Sequence, residues 1–348
     1  MYDFIFQEGA HQMHRNYRVA IVGATGAVGT TMRQILEERA FPVASLKLLA
    51  SHRSAGEILT FKDKPIVVEE LTHDSFDDVD LVLSSAGKSV SREFIPIALE
   101  NDCLVIDNTS AFRMNAETPL VIPEVNMHAA MRHRGLIANP NCSTIQMLVA
   151  LKPLYDVVGI KRIVVSTYQS VSGKSGSAVV ELVNQTTAAL EGRPIECDLF
   201  PHQIAFNVAF DWPFLDNGDS EEEIKMVNET RKILEDDAIG VCATTVRVPV
   251  FFAHSEAINI ETECRLSADD ARRLLSQTPG VVVIDDPKAR KYPLAVDATG
   301  KDEVYVGRIR EDHSVENGLN LWVVADNLRK GAALNAIQIA EILNQSNV

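Results

Sequence analysis

No apolar run in this 348-residue chain reaches the roughly 18 residues needed to cross a bilayer. The opening segment MYDFIFQEGAHQMHRN has neither the basic start nor the apolar centre of an export signal. A membrane partner is therefore not expected, and a cytoplasmic location is. Cysteine is scarce: Cys103, Cys142, Cys197, Cys242 and Cys264 are odd in number, scattered and never in a CxxC pair. That pattern predicts neither a disulfide framework nor a structural zinc, and no metal is expected. Basic clusters interleaved with aromatics are missing too. With 33 Lys and Arg against 48 Asp and Glu the formal charge is −15, which repels polyphosphate backbones and argues against a nucleic-acid partner.

What remains is a chain with 46% hydrophobic and 23% charged residues, long enough for a large core and for two domains. YRVAIVG, Tyr17 to Gly23, is an apolar run ending in glycine. ATGAVGTTMRQILEER follows, with Val28, Met32, Ile35 and Leu36 at helical spacing. Further short apolar runs, SLKLLAS, DLVLSSAG, CLVIDN and GLIAN, are separated by polar or helical segments, the rhythm of a parallel sheet covered on both faces. A doubly wound α/β domain of the Rossmann, dinucleotide-binding kind is expected to about residue 140. From Ile160 the pattern changes to long β-rich stretches, IKRIVVSTYQSVSG, GVCATTVRVPVFFAHSEAINIETEC and GVVVIDD, which predict a second, α+β domain. In the tail DNLRKGAALNAIQIAEILNQ, Leu328, Ala332, Ile337 and Ile339 to Ile342 share a helical period, predicting a helix that packs back on the first domain.

The turn GATGAVG sets Gly23, Gly26 and Gly29 directly after the first strand and at the mouth of a helix. Glycine is needed where backbone turns sharply and approaches a pyrophosphate, whose charge then faces the helix N-terminal amides. An NAD site usually ends its second strand in an acidic residue that holds the ribose hydroxyls. Here the region reads LLASHRSAG, and Ser51, Arg53 and Ser54 offer a guanidinium and two hydroxyls where a 2′-phosphate would lie. NADP is the expected cofactor.

In NPNCSTIQMLVALKPL, Pro140 precedes a plausible helix from Ser143 onward, so Cys142 falls in its first turn. Helix N-terminal amides stabilise a thiolate and make a nucleophile available near neutrality; the competing reading is a small buried cysteine.

GATGAVG, NTSAFRM, NPNCST, TYQSVSG, RVPVFFAHSEA and DNLRKGAALNAIQIAE, in that order from Tyr17 to about Glu341, together resemble the aspartate-β-semialdehyde dehydrogenases of the bacterial type. Glyceraldehyde-phosphate dehydrogenases and N-acetylglutamyl-phosphate reductases share the chemistry, but their cysteine contexts differ from Asn-Pro-Asn-Cys-Ser-Thr. The resemblance implies NADPH-dependent reductive dephosphorylation of L-aspartyl 4-phosphate to L-aspartate 4-semialdehyde, in the aspartate route to lysine, threonine, methionine and isoleucine. It makes Cys142 the nucleophile that displaces phosphate and forms a thioacyl enzyme, and His254 in AHSEA the acid/base group.

The resemblance also assigns Arg247 to a two-pronged contact with the substrate carboxylate, Arg113 and Lys225 to the phosphate, Glu222 to the ammonium group, and Gln169 to substrate orientation. Glu222 and Lys225, at i, i+3, share one helix face and could serve a common pocket or only each other. To the cofactor site it adds Thr25, Ala27 and Val28 of the glycine turn, Ser172 and Gly173, and Asn327. The implied division is an NADP-binding domain of residues 17–140 with 327–348, after an extension at 1–16, and a catalytic and dimerisation domain of 141–326. A homodimer or a pair of dimers is implied.

One departure stands out. Where the family carries SGAG this chain has SGKSG, Ser172 to Gly176, so Lys174 and Ser175 replace smaller residues near the expected nicotinamide and could meet the cofactor phosphates. A reductase for another acyl phosphate or acyl thioester, and a non-catalytic NADP-binding protein, are the alternative readings.

Overall fold

Two sheets organise the chain. In the computed structural model, which describes residues 15–346, Pro140–Ala332 forms one unit and the described residues on either side of it form the other. The expected extension 1–16 lies almost wholly outside the described residues.

The first unit is built on seven strands, β1 (Tyr17–Val22), β2 (Val43–Ala50), β3 (Ile58–Phe61), β4 (Lys64–Glu70), β5 (Leu81–Ser84), β6 (Leu104–Asp107) and β7 (Leu136–Ala138), in the order β3-β4-β2-β1-β5-β6-β7. All pairings are parallel except the edge hairpin β3/β4. Alternate residues of β1 enter opposite cores: Val19 and Ile21 pack with Ile35, Leu36, Leu48 and Ile337, whereas Ala20 and Val22 pack with Phe94, Ile95 and Val105. Helices on both faces therefore bury most of β1, β5, β6 and β7, and this is why these strands read as nearly continuous apolar runs. The hairpin escapes that reading because it lies at the edge with Ile58 and Val67 exposed.

The terminal helix spans Leu334–Gln345 and buries Leu334, Ile337, Ala340 and Leu343 in the first of those cores. A two-pronged ion pair from Arg39 to Glu341, 2.7 Å at each contact, ties it to the first helix, Ala27–Glu38, and its C-terminal residue. A π-helical turn, Arg329–Ala333, runs directly into the terminal helix, so the helical period read from Leu328 is realised as a π turn followed by the α-helix. The stretch before it belongs to the other unit, so the second crossing of the chain falls at Ala333 and not at 327. The cause is local: Asp326 accepts the amides of Leu328, Arg329 and Gly300, and Asn327 is tied to Ser170, Ser172 and Ala253.

The second unit carries β8 (Ile160–Gln169), β9 (Gly240–Arg247), β10 (His254–Thr262), β11 (Val281–Val283), β12 (Val304–Asp312) and β13 (Gly318–Ala325), in the order β11-β12-β13-β10-β8-β9. The four central strands are antiparallel and each edge pair is parallel. The helix Cys142–Val158 lies across β8, β10, β12 and β13, and it is buried on every side from Ser143 to Leu151, where its sequence is mostly apolar. On β10 the residues His254, Glu256, Ile258 and Ile260 are buried, while Ala257, Asn259 and Glu261 between them are only half-covered. Ala257, Asn259, Arg308, Arg310, Asn320 and Trp322 belong to the lining of a hollow of about 730 Å3.

Candidate active site

Asn141 starts the Cys142 helix. Its Oδ1 accepts the amides of Ser143 and Thr144 at 3.0 and 3.2 Å, the contact by which an Asn cap satisfies a helix N-terminus. Its Nδ2 donates to Glu222 at 2.7 Å and its own amide donates to Glu229 at 2.6 Å, so two buried carboxylates from the helix Glu221–Leu234 lock the cap. Cys142 is thereby held half-buried as the first helical residue. Gly331 leaves it room, since a Cβ there would lie 3.0 Å from the Cβ of Cys142.

Three neighbouring strands bring further side chains to one end of the sheet. Gln169 and Arg247 are register partners at the ends of β8 and β9, and His254 opens β10. Gln169 Nε2 lies 4.0 Å from Cys142 Sγ and donates to Glu222 at 3.1 Å. His254 is fully buried. Its Nδ1 accepts the Ser170 amide at 3.0 Å, which makes Nε2 the protonated nitrogen of the neutral ring, and Nε2 meets no hydrogen-bond partner among the described residues. Burial first, then the charge of Arg247, lowers the ring to about 3, with Glu222 opposing. Ala253, in the left-handed region at φ 66°, delivers His254 to this position and is held there by Asn327 Oδ1 at 3.0 Å.

Arg247 is almost fully buried. It donates from NH1 to the Ser170 carbonyl at 2.8 Å and from Nε and NH2 to one oxygen of Asp211 at 3.2 and 3.1 Å, with the Trp212 ring stacked 4.5 Å from its carbon. Gly173 packs closely here: a Cβ would come to 3.0 Å from both Arg247 NH1 and His254 Nε2. That backbone, the free edge of the guanidinium and the imidazole N–H thus face a common space beside Gln169 and Cys142.

Glu222 and Lys225 do pair, 3.0 Å apart. Glu222 is buried and also accepts from Asn141 and Gln169, so burial, which pushes its carboxyl up, is outweighed by Lys225 and these donors and the net shift is downward. The unusual loop is accounted for locally. Ser175 Oγ caps the helix Gly176–Leu190 through the Ala178 amide, and Lys174 Nζ sits 2.7 Å from Asp211 and 5.1 Å from the Phe200 ring, a placement that gives it a partner within its own unit. Ser172 and Asn327 exchange hydrogen bonds at 3.1 to 3.2 Å and support the His254 loop.

The glycine turn belongs to the first unit. Gly23 has φ 85°, and a Cβ would lie 2.8 Å from the Ser85 carbonyl; a Cβ on Gly29 would overlap the Gly23 carbonyl itself. Gly26 caps the helix Ala27–Glu38 without a side chain, its first turn carries no acid, and the amides of Ala27, Val28 and Gly29 have no acceptor among the described residues. A helix terminus with open amides and a bare backbone fits a pyrophosphate. Thr25 Oγ1 lies 3.3 Å from Ser54 Oγ, and Ser51 and Ser54 close a turn just past β2, where exposed Arg53 has no hydrogen bond or ion pair with a described residue. Arg113 is in this unit too, buried and donating to the carbonyls of Asn139 and Asn108 at 2.9 and 2.7 Å.

Cys142, Gln169, Ser172, Gly173, Glu222, Lys225, Arg247, His254 and Asn327 are thus gathered in one unit, and Gly23 to Gly29, Ser51, Arg53, Ser54 and Arg113 in the other. Sequence reasoning passed over Asn141, Ser170, Asp211, Glu229 and Glu256. Asn141 alone had a signal, a cap-forming Asn at the head of an apolar run. Glu256 is wholly buried; burial pushes its carboxyl well above the usual range, and Gln146 and Ser143 offset only part of that.

The family described as semialdehyde dehydrogenase, NAD binding domain, matches residues 18–133, and semialdehyde dehydrogenase, dimerisation domain, matches 151–330. The aspartate-semialdehyde dehydrogenase of Aquifex aeolicus is 54% identical over 332 residues, covering 94% of this chain and 98% of its own. That of Bacillus subtilis is 48% identical over 345 residues, 97% and 100% of the two chains. A crystal structure of aspartate semialdehyde dehydrogenase II from Vibrio cholerae, complexed with ASA, superposes with a TM-score of 0.91 at 50% identity, covering 95% of this chain and 98% of that one. A Candida albicans aspartate semialdehyde dehydrogenase with NADP gives 0.73 at 26% identity, covering 96% and 99%. With a Rossmann-type first unit, a mixed-sheet second unit and near full-length identity of about half, this chain belongs to the aspartate-semialdehyde dehydrogenase family.

Proposed function

We propose that the chain reduces L-aspartyl 4-phosphate to L-aspartate 4-semialdehyde with NADPH, releasing phosphate, and that Cys142 carries the acyl group between the two halves of the reaction. The observation that carries this reading is the Cys142 thiol at a capped helix terminus, 4.0 Å from Gln169 Nε2 and in the same unit end as the His254 N–H and the Arg247 guanidinium. The thiolate attacks the acyl carbon, the C–O bond to phosphate breaks, and a thioester remains. The glycine turn and Arg53 would hold NADPH, which when bound would supply the hydride that reduces this thioester. His254 donates its Nε2 hydrogen bond to the carbonyl oxygen as negative charge develops, and the tetrahedral adduct collapses to aldehyde and thiolate. Arg247 holds the substrate carboxylate through its two unused N–H bonds. Gln169 orients the substrate beside the sulfur, Glu222 and Lys225 set the ends of the substrate by charge, and Arg113 adds a cation for phosphate.

The hollow on the half-covered side of the second sheet supports a two-fold dimer through that face, or a pair of such dimers. Five cysteines, none in a disulfide among the described residues, fit a reducing compartment, and the cytoplasm is the proposed location. The test is an absorbance assay in the oxidative direction with semialdehyde, phosphate and either NADP or NAD. Phosphate-dependent formation of NADPH is the expected result; turnover only with another aldehyde would favour a reductase of a different acyl phosphate, and none at all a binding protein.

A further inference from the structure

Arg247 is paired with a buried carboxylate, Asp211. Its guanidinium offers five N–H donors, of which Nε and NH2 each give one to Asp211 and NH1 gives one to the Ser170 carbonyl. One N–H on each terminal nitrogen is left, and these are the two that a carboxylate could take together. Trp212 covers one face of the plane. The Asp211 side chain is 2% exposed, and a buried carboxylate beside Arg247 would cancel the charge that an incoming anion needs. Its other oxygen is 2.7 Å from Lys174, the residue at which this chain departs from the family's SGAG turn.

We propose that Asp211 is a positioning residue that fixes the plane of Arg247 and aims its two remaining donors at the substrate carboxylate, and that Lys174 supplies the countercharge which keeps Asp211 from neutralising it. Lys174 and Asp211 then form a matched pair, with net charge zero, that sharpens recognition of an α-carboxylate. The inference rests on the reading of Arg247 as the carboxylate clamp.

The test measures kcat/KM for aspartate semialdehyde and for 3-aminopropanal, which lacks the carboxylate, with Kd for NADP as a check on folding. Asp211→Ala frees the guanidinium and should raise KM for the semialdehyde about tenfold, whereas Asp211→Asn keeps an acceptor and should stay within roughly threefold. Lys174→Ala, at a side chain 29% exposed, should raise that KM several-fold, and adding Asp211→Asn should bring it back by restoring zero charge to the pair. None of these changes should alter kcat/KM for 3-aminopropanal. If Arg247→Ala lowers selectivity for the semialdehyde while the Asp211 and Lys174 variants affect both aldehydes alike or neither, the pairing is refuted and the clamp stands. If Arg247→Ala itself leaves selectivity unchanged, the clamp reading fails instead.

Discussion

The backbone amide of Ser170 donates to Nδ1 of His254 across 3.0 Å, and this one bond decides what the imidazole can offer. It occupies the nitrogen lone pair that a second proton would need, and it leaves the Nε2 hydrogen facing the site. Burial acts in the same direction and brings the ring down to about 3 from its ordinary 6.5. A group whose folded value lies below its unfolded value costs stability as pH falls, because only the unfolded chain takes up the proton. Stability should therefore be independent of His254 above pH 6.5 and decline from there towards pH 3, by at most about 1.4 kcal/mol per pH unit. Urea titrations of the native protein and His254→Asn between pH 7 and 4 check this: the variant should show the shallower decline.

Cys142→Ala should abolish turnover and leave NADP affinity nearly intact, since the sulfur serves the chemistry and the glycine turn serves binding. Activity within about tenfold of the native protein would reject the nucleophile. The same position should be the first alkylated at limiting reagent, ahead of exposed Cys197, Cys242 and Cys264, because helix amides favour its thiolate. Cys103 should label last: burial pushes its thiol up to about 11.

Arg53→Ala should weaken NADP far more than NAD. A charge-assisted hydrogen bond contributes on the order of 1.5–3 kcal/mol, or roughly ten- to a hundredfold in affinity, and only NADP brings the extra phosphate. Fluorescence titration with each cofactor measures the ratio. An equal loss for both would assign Arg53 to the fold.

Glu256 works against the folded state above pH 4.5. Its carboxyl is raised by burial from an ordinary value of 4.5, so folding forgoes an ionisation that the unfolded chain gains once the pH exceeds that value. Glu256→Gln removes the penalty. The variant and the native protein should melt together near pH 4.5, and at pH 8 the variant should melt higher by roughly 2 °C or more. Scanning calorimetry at the two pH values decides it.

Light scattering should give a mass near twice 38.3 kDa, or a multiple of that dimer. Replacing Trp322, on the hollow of the second sheet, with Glu should shift the species towards monomer. A fully active, monodisperse monomer of the native chain would overturn the two-fold arrangement.

Much of this was readable in the residues themselves. The glycine turn announced itself because sharp backbone geometry tolerates few residue types, and Cys142 because proline and a long apolar run bracket it. Residues that act through others were not readable. Asp211 and Arg247 are 36 positions apart, and Asn141 and Glu229 are 88 apart, so only the folded chain pairs them. Glu222 with Lys225 could be read as neighbours on a helix, yet their contact with Asn141 and Gln169 could not. Strands β12 and β13 were likewise passed over, since VYVGRIRED and GLNLWVVA mix polar and apolar residues as strands with two unlike faces do.

Strand β10 serves two masters with one backbone. His254 and Glu256 turn towards the Cys142 helix, while Ala257 and Asn259 face the hollow. Because neighbours in a strand point opposite ways, deleting or inserting a single residue within β10 would trade the two populations and ruin both surfaces at once. Drift in length is thus closed to this segment of the chain, although point changes on either side are not. Surveys of insertions and deletions in natural variants should find them in the turns that flank 254–262 and absent from within it.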